Sequence, residues 1–117
     1  EKLQIRSNGK FIRDYVFMDD VVEGYLKIAE QINITKGEVF NLSTKNKLNV
    51  LEVVDKISKV INKKIDIEIL DIVKNEIKDQ YLSSEKAKKI LKWETKYSFE
   101  QGIKKTIPWY EEHFKVN

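Results

Sequence analysis

Apolar and polar residues alternate at the start of the chain, where Leu3 and Ile5 flank Gln4, and residues 11–17 are again rich in β-formers. Two short strands are predicted there. Between them Ser7-Asn8-Gly9-Lys10 has turn chemistry, with Asn-Gly suited to positive φ, so a hairpin or a strand-like return is expected. The period then changes. Val21, Val22, Tyr25, Leu26, Ile28, Ala29 and Ile32 recur at helical spacing, and Asp20 stands three residues before Glu23 as a capping box, so a helix is predicted over 20–32.

After the Lys36-Gly37 turn, residues 38–43 alternate and predict a strand. Asn49 with Glu52 forms a second capping box ahead of Val50, Leu51, Val53, Val54, Ile57, Val60 and Ile61, a helix ending near Asn62-Lys63-Lys64, where cations suit the helix dipole. Ile65, Ile67 and Ile69 alternate as a further strand. Residues 71–79 read as a loop, residues 80–82 as a short strand, and Ser83-Ser84 as the start of a helix through Leu91, with Trp93 as an anchor. Ser98 with Gln101 is a third capping box, opening a helix whose Phe99, Ile103, Ile107, Tyr110 and Phe114 share one face. Pro108 removes one hydrogen bond inside it, and a gentle kink is expected. No internal repeat or low-complexity linker interrupts these elements.

The pattern fits one α+β domain over 1–117, with short strands packed on about four helices, and 117 residues suit a single core. The hydrophobic share of 41% against 35% charged fits a globule with a modest core. No apolar run approaches the roughly 20 residues that span a bilayer, and no signal-peptide pattern is present, so neither a membrane partner nor export is expected. The absence of cysteine excludes disulfides and thiolate metal sites, and the single histidine, His113, supports neither a zinc site nor a triad, so no metal is expected. A net charge of +3 from 22 basic and 19 acidic residues is nearly balanced, which disfavours nucleic acid as a partner. Only two of the basic residues, Arg6 and Arg13, are arginines, which singles them out.

Catalytic motifs are missing. Gly9, Gly24, Gly37 and Gly102 lie too far apart for a phosphate-cradling loop, and no tyrosine is followed by a lysine four residues on. Asp14, Asp19 and Asp20 cluster, but read as strand-end and cap residues. Trp93, Trp109, Tyr110 and Phe114 are spaced as core aromatics.

The segment Arg13-Asp14-Tyr15-Val16-Phe17-Met18-Asp19-Asp20-Val21-Val22, with Gly9 four residues before Arg13, resembles the G-x-x-x-R-D-[YW]-x-x-V-x-D signature of extended short-chain dehydrogenases acting on nucleotide sugars, the NAD-dependent epimerase/dehydratase family. The register continues through Gly37-Glu38-Val39-Phe40-Asn41-Leu42, Val50-Leu51-Glu52-Val53-Val54, Ser84-Glu85-Lys86-Ala87, Ile90-Leu91-Lys92-Trp93 and Ser98-Phe99-Glu100-Gln101-Gly102-Ile103. Nearly the whole chain is covered. Residues 7–9 and 75–82 look most like the CDP-glucose 4,6-dehydratase branch. Two departures stand out: many relatives carry an arginine in the segment matching 75–79, and the usual Leu-Gly-Trp is here Leu91-Lys92-Trp93.

The resemblance implies that the chain is the C-terminal substrate-binding lobe of a larger cytoplasmic enzyme, a dehydratase or epimerase and in its family a homodimer. An N-terminal Rossmann domain would supply the NAD loop and the Tyr-x-x-x-Lys pair, so no catalytic residue, no cofactor and no activity is expected of this chain alone. By resemblance Arg13 grips the nucleotide sugar's diphosphate, consistent with a planar guanidinium forking onto two anionic oxygens. The bland alternative is a surface arginine paired with Asp14 or Asp20. Asn41 resembles an asparagine that orients that arginine or touches phosphate, against a simple strand-terminal turn residue. Tyr15 is expected to line the core or the cleft, and Glu76 and Gln80 to stand at the nucleotide or sugar rim, with solvated loop residues as their alternative. Leu3, Ile5, Phe11, Tyr15 and Phe17 are expected to be left exposed beside the interdomain cleft. The rival reading from another class is a non-enzymatic module that docks a partner or weakly binds nucleic acid.

Overall fold

A computed structural model describes residues 2–114. The order is β1 (Leu3–Ile5), β2 (Ile12–Asp14), α1 (Met18–Glu30), α2 (Ile32–Thr35), β3 (Lys47–Asn49), α3 (Val50–Ile61), β4 (Ile67–Ile69), β5 (Asp79–Gln80), α4 (Glu85–Leu91) and α5 (Phe99–Phe114). The fold is α+β, as expected, with two small sheets. β1 pairs in parallel with β4, while β2 lies between antiparallel β3 and parallel β5.

The first two strands therefore do not form the expected hairpin. The 7–10 turn does form: Ser7 Oγ accepts the Gly9 N–H at 3.2 Å, Asn8 Oδ1 accepts the Lys10 N–H at 2.9 Å, and Gly9 takes φ 77°. A Cβ at Gly9 would also stand 2.8 Å from Leu51 Cγ, so only glycine lets α3 approach the turn this closely.

Two of the three expected capping boxes are present. Asn49 and Glu52 exchange bonds of 2.8 and 2.9 Å at the start of α3, and Ser98 and Gln101 exchange bonds of 2.8 and 3.2 Å at the start of α5. The third is not: α1 begins at Met18, and its N-cap, Phe17, makes no side-chain bond. Asp20 is instead buried at 1% exposure. Its carboxylate accepts the Lys96 N–H at 2.8 Å and the Tyr97 N–H at 3.4 Å, and its carbonyl accepts Trp93 Nε1–H at 2.8 Å. Long-range contacts replace the local cap: the backbone donors of Lys96 and Tyr97 find their acceptor in this carboxylate, as backbone donors near a buried core require.

Ala87, Leu91 and Trp93 form the centre of the core, with Ile28, Phe40, Leu42 and Ile90 packed around them. Phe40 and Leu42 reach it from residues 38–43, which run without helix or strand assignment rather than as the expected strand. Alternation there reports an inner and an outer face, but a strand also needs a backbone neighbour, and none lies alongside among the described residues. Gly24 of α1 lets this segment approach, since a Cβ there would meet Leu42 Cδ1 at 2.4 Å.

Of the aromatics expected in the core, Trp93 is buried, but Trp109, Tyr110 and Phe114 are 58%, 50% and 62% exposed. They sit in the last turns of α5, with Trp109 stacked on His113 at 4.9 Å and Tyr110 on Phe114 at 5.9 Å. The helix continues through Pro108 to Phe114. The expected exposure of the N-terminal apolar residues holds for Leu3 alone: Ile5 is buried, and Phe11, Tyr15 and Phe17 are half-buried. The exposed stripe lies on α1 instead, at Met18, Val22, Tyr25 and Leu26, spaced four, three and one.

Lys92 ends α4 with φ 53°, in the left-handed region. A side chain is strained there and glycine is not, so Lys92→Gly is expected to stabilise the fold by about 0.5–1 kcal/mol. A higher urea midpoint checks it, and a lower one would show that the Lys92 ammonium, 3.1 Å from the Lys89 carbonyl, outweighs the strain.

Candidate functional site

β2 is the middle strand of its sheet, so what it carries is held from both sides. Arg13 pairs by register with Leu48 of β3 and Gln80 of β5. Its Nη1 donates to the Ile12 carbonyl at 2.7 Å and lies 3.5 Å from the Lys78 carbonyl, and its Nη2 stands 3.0 Å from Glu76 Oε1. The arginine side chain is 23% exposed and the glutamate 40%. Three of the five expected site residues, Arg13, Glu76 and Gln80, are thus brought together by residues 76–80 running against β2.

The sequence offered Asp14 or Asp20 as the arginine's alternative partner, and neither is. Successive side chains of a strand point to opposite faces, which turns Asp14 away from Arg13. Asp14 Oδ2 lies 2.5 Å from Ser43 Oγ and accepts the Leu82 N–H at 3.1 Å, while Ser84 Oγ donates to the Ser43 carbonyl at 3.1 Å. This knot ties β2 to the 38–43 segment and to the chain leading into α4. It fixes the strand from the face opposite the guanidinium.

Tyr15 is half-buried, its ring edge-on to Phe99 at 5.9 Å. It lines a cavity of about 240 Å³ with Phe17, Tyr97, Phe99 and Gly102, where a Cβ on Gly102 would come within 3.2 Å of Phe17. Asn41 is exposed on the outer face of its segment and makes no hydrogen bond to Arg13 among the described residues. An open cleft of about 490 Å³ runs between residues 3–7, Val50, Val73 and Glu76, and Arg6 lines it. Arg6 is the residue that motif reasoning passed over. Its signal was rarity, since it is the only other arginine.

Electrostatics elsewhere are those of surface pairs. Lys56 Nζ donates to Glu100 Oε1 at 2.5 Å, joining α3 to α5, and this bond holds the Glu100 carboxyl below its ordinary value. Lys86 does the same for Glu38. No cluster of three or more His, Asp or Glu among the described residues is arranged to hold a metal, and no helix is long and apolar enough to cross a membrane.

The family described as GDP-mannose 4,6 dehydratase matches residues 1–106. The chain belongs to the NAD-dependent epimerase/dehydratase family. It is 29% identical over 115 residues to a UDP-glucuronate 4-epimerase of Thermodesulfobacterium geofontis, covering 97% of this chain and 35% of that protein. Among solved structures it superposes on the dTDP-glucose 4,6-dehydratase of Bacillus anthracis in complex with NAD, with a TM-score of 0.84, 30% identity, and coverage of 98% of this chain and 36% of that one. It also superposes on the UDP-glucose 4-epimerase of Thermotoga maritima with UDP-glucose, with a TM-score of 0.83, 27% identity and coverage of 97% and 36%. The chain therefore spans about a third of the length of these epimerase/dehydratase relatives. Epimerases and dehydratases are matched alike, so the match identifies a scaffold that both reactions share.

Proposed function

We propose that this chain is the nucleotide-sugar-holding part of an NAD-dependent epimerase or 4,6-dehydratase, with Arg13 as the residue that takes the diphosphate. The observation that carries this reading is Arg13 on the central strand β2, its Nη1 edge fixed by the Ile12 carbonyl and its Nη2 edge directed at an exposed anionic oxygen. A guanidinium held in this way loses little freedom when it forks onto a phosphate. Gln80, opposite Arg13 in the ladder, and Glu76 stand at the rim, Tyr15 lines the wall behind β2, and Asn41 lies on the outer side of residues 38–43.

Gly9 and Gly37 occupy turns and Gly24 and Gly102 lie inside helices, so the described residues form no glycine-rich cradle for NAD. The dinucleotide is proposed to sit on the remainder of the enzyme, where hydride chemistry would take place. In this reading the chain's own task is binding and orientation: it holds the nucleotide diphosphate so that the sugar is presented to residues outside it.

Hydrogen exchange on the intact protein tests this. UDP is expected to slow amide exchange in residues 12–14 and 76–80 relative to the ligand-free protein. Protection confined to other elements, with these two segments unchanged, rejects the site.

A further inference from the structure

Both Nη atoms of Arg13 have protein partners without any ligand. Two protein carbonyls face Nη1, and a carboxylate oxygen stands 3.0 Å from Nη2. A glutamate oxygen at that distance makes the same charge-assisted bond that a phosphate oxygen would make. Glu76 therefore occupies the position an incoming anion needs.

The segment that carries Glu76 is built to hold it there and to release it. Residues 71–78 contain no helix or strand. Their ends are fastened, with the Ile72 N–H donating to the Arg6 carbonyl at 2.9 Å and the Lys78 carbonyl accepting the Ile12 N–H at 2.8 Å. Lys74, Asn75, Glu76 and Ile77 between those fastenings are exposed. The glutamate side chain is itself 40% exposed, so water already reaches it. A half-exposed ion pair of this kind is weak enough for a ligand to break.

We propose that Glu76 is an internal competitor for Arg13, a carboxylate that stands in for the ligand's diphosphate and must be displaced when a nucleoside diphosphate binds. This rests on the reading of Arg13 as the diphosphate residue. Glu76 then sets the affinity of the site: it keeps the arginine neutralised and correctly oriented while the site is empty, at the cost of weaker binding. It also opposes simple anions, which bring too few contacts to displace it, more than it opposes a ligand that adds contacts through its nucleoside and sugar.

The test uses the intact protein and titration calorimetry with UDP and with inorganic pyrophosphate. Glu76→Gln, which keeps the shape and removes the charge, is expected to tighten UDP about five-fold, the range over which an exposed ion pair competes. Pyrophosphate should gain at least as much, and Glu76→Ala should act in the same direction. Arg13→Ala should weaken UDP, and Arg13→Ala/Glu76→Gln should bind no better than Arg13→Ala, because the competitor acts only through the arginine. Unchanged or weaker binding in both Glu76 variants, with Arg13→Ala still impaired, overturns the competitor and leaves the Arg13 site standing. Unchanged binding in Arg13→Ala, or no binding of either probe to any variant, overturns the Arg13 site and the competitor with it.

Discussion

Replacing Asp20 by alanine is expected to destabilise the chain by about 3 kcal/mol, since hydrogen bonds to a charged group contribute roughly 1.5–3 kcal/mol and a buried donor left without a partner carries its own desolvation cost. The carboxylate is 1% exposed and joins the first turn of α1 to residues 96 and 97, more than seventy positions away in sequence. Alanine would leave the Lys96 and Tyr97 N–H groups facing a gap. The carbonyl that receives Trp93 Nε1–H belongs to the backbone and survives the change, so the indole keeps its bond while the turn beyond it loosens. Asparagine retains one acceptor oxygen but directs an amide nitrogen towards one of the two donors, and about half the loss is expected. Asp19, next in the chain and exposed, is the control: Asp19→Ala should stay within about 0.5 kcal/mol of the parent, as surface substitutions do. Urea denaturation of the three variants at neutral pH checks the order. Equal midpoints for Asp20→Ala and Asp19→Ala would mean that the buried carboxylate contributes nothing that water cannot replace.

If Arg13 takes the diphosphate as proposed above, replacing it by alanine is expected to raise the KM of the intact protein for a nucleotide sugar on the order of 30- to 150-fold, from about 2–3 kcal/mol for a charge-assisted, forked contact. Turnover at saturation should change far less. A diphosphate is remote from the sugar carbon that reacts, so a contact to it is the same in the ground state and the transition state, and its loss appears in KM. Lysine at this position should restore only part of the affinity, because an ammonium keeps the charge and loses the fork. Stability should change little, since the side chain is partly exposed and its ionic partner among the described residues is the half-exposed Glu76. A fall in kcat with KM unchanged, or a defect confined to NAD binding, would place Arg13 elsewhere in the mechanism.

Much of this protein was legible in its sequence wherever the controlling forces are local. The capping boxes at Asn49/Glu52 and Ser98/Gln101 were readable because each satisfies backbone donors within its own turn. The boundaries of α3, from Val50 to Ile61, followed from that cap and the apolar stripe behind it. The R-D-Y motif with its glycine four residues ahead pointed to a family, and the match over residues 1–106 bears that family out.

What the sequence could not supply was the pairing of segments distant along the chain. Asp20 satisfies a local capping rule and a remote one equally well by pattern, and burial of Trp93 decided for the remote one. Residues 38–43 alternate like a strand, but alternation records only which side chains face the core and says nothing of a backbone partner. Leu3–Ile5 and Ile12–Asp14 flank a turn that a hairpin would use, yet each found a different neighbour, β1 pairing with β4 and β2 with β3 and β5. The partner of Arg13 was hidden for the same reason. Asp14 is adjacent in sequence but on the wrong face of the strand, while Glu76, sixty-three positions away, arrives only when β5 lays itself along β2. Periodicity and caps are properties of a few consecutive residues and are written in their order, whereas the site depends on which strand lies beside which, a choice made by the whole core at once.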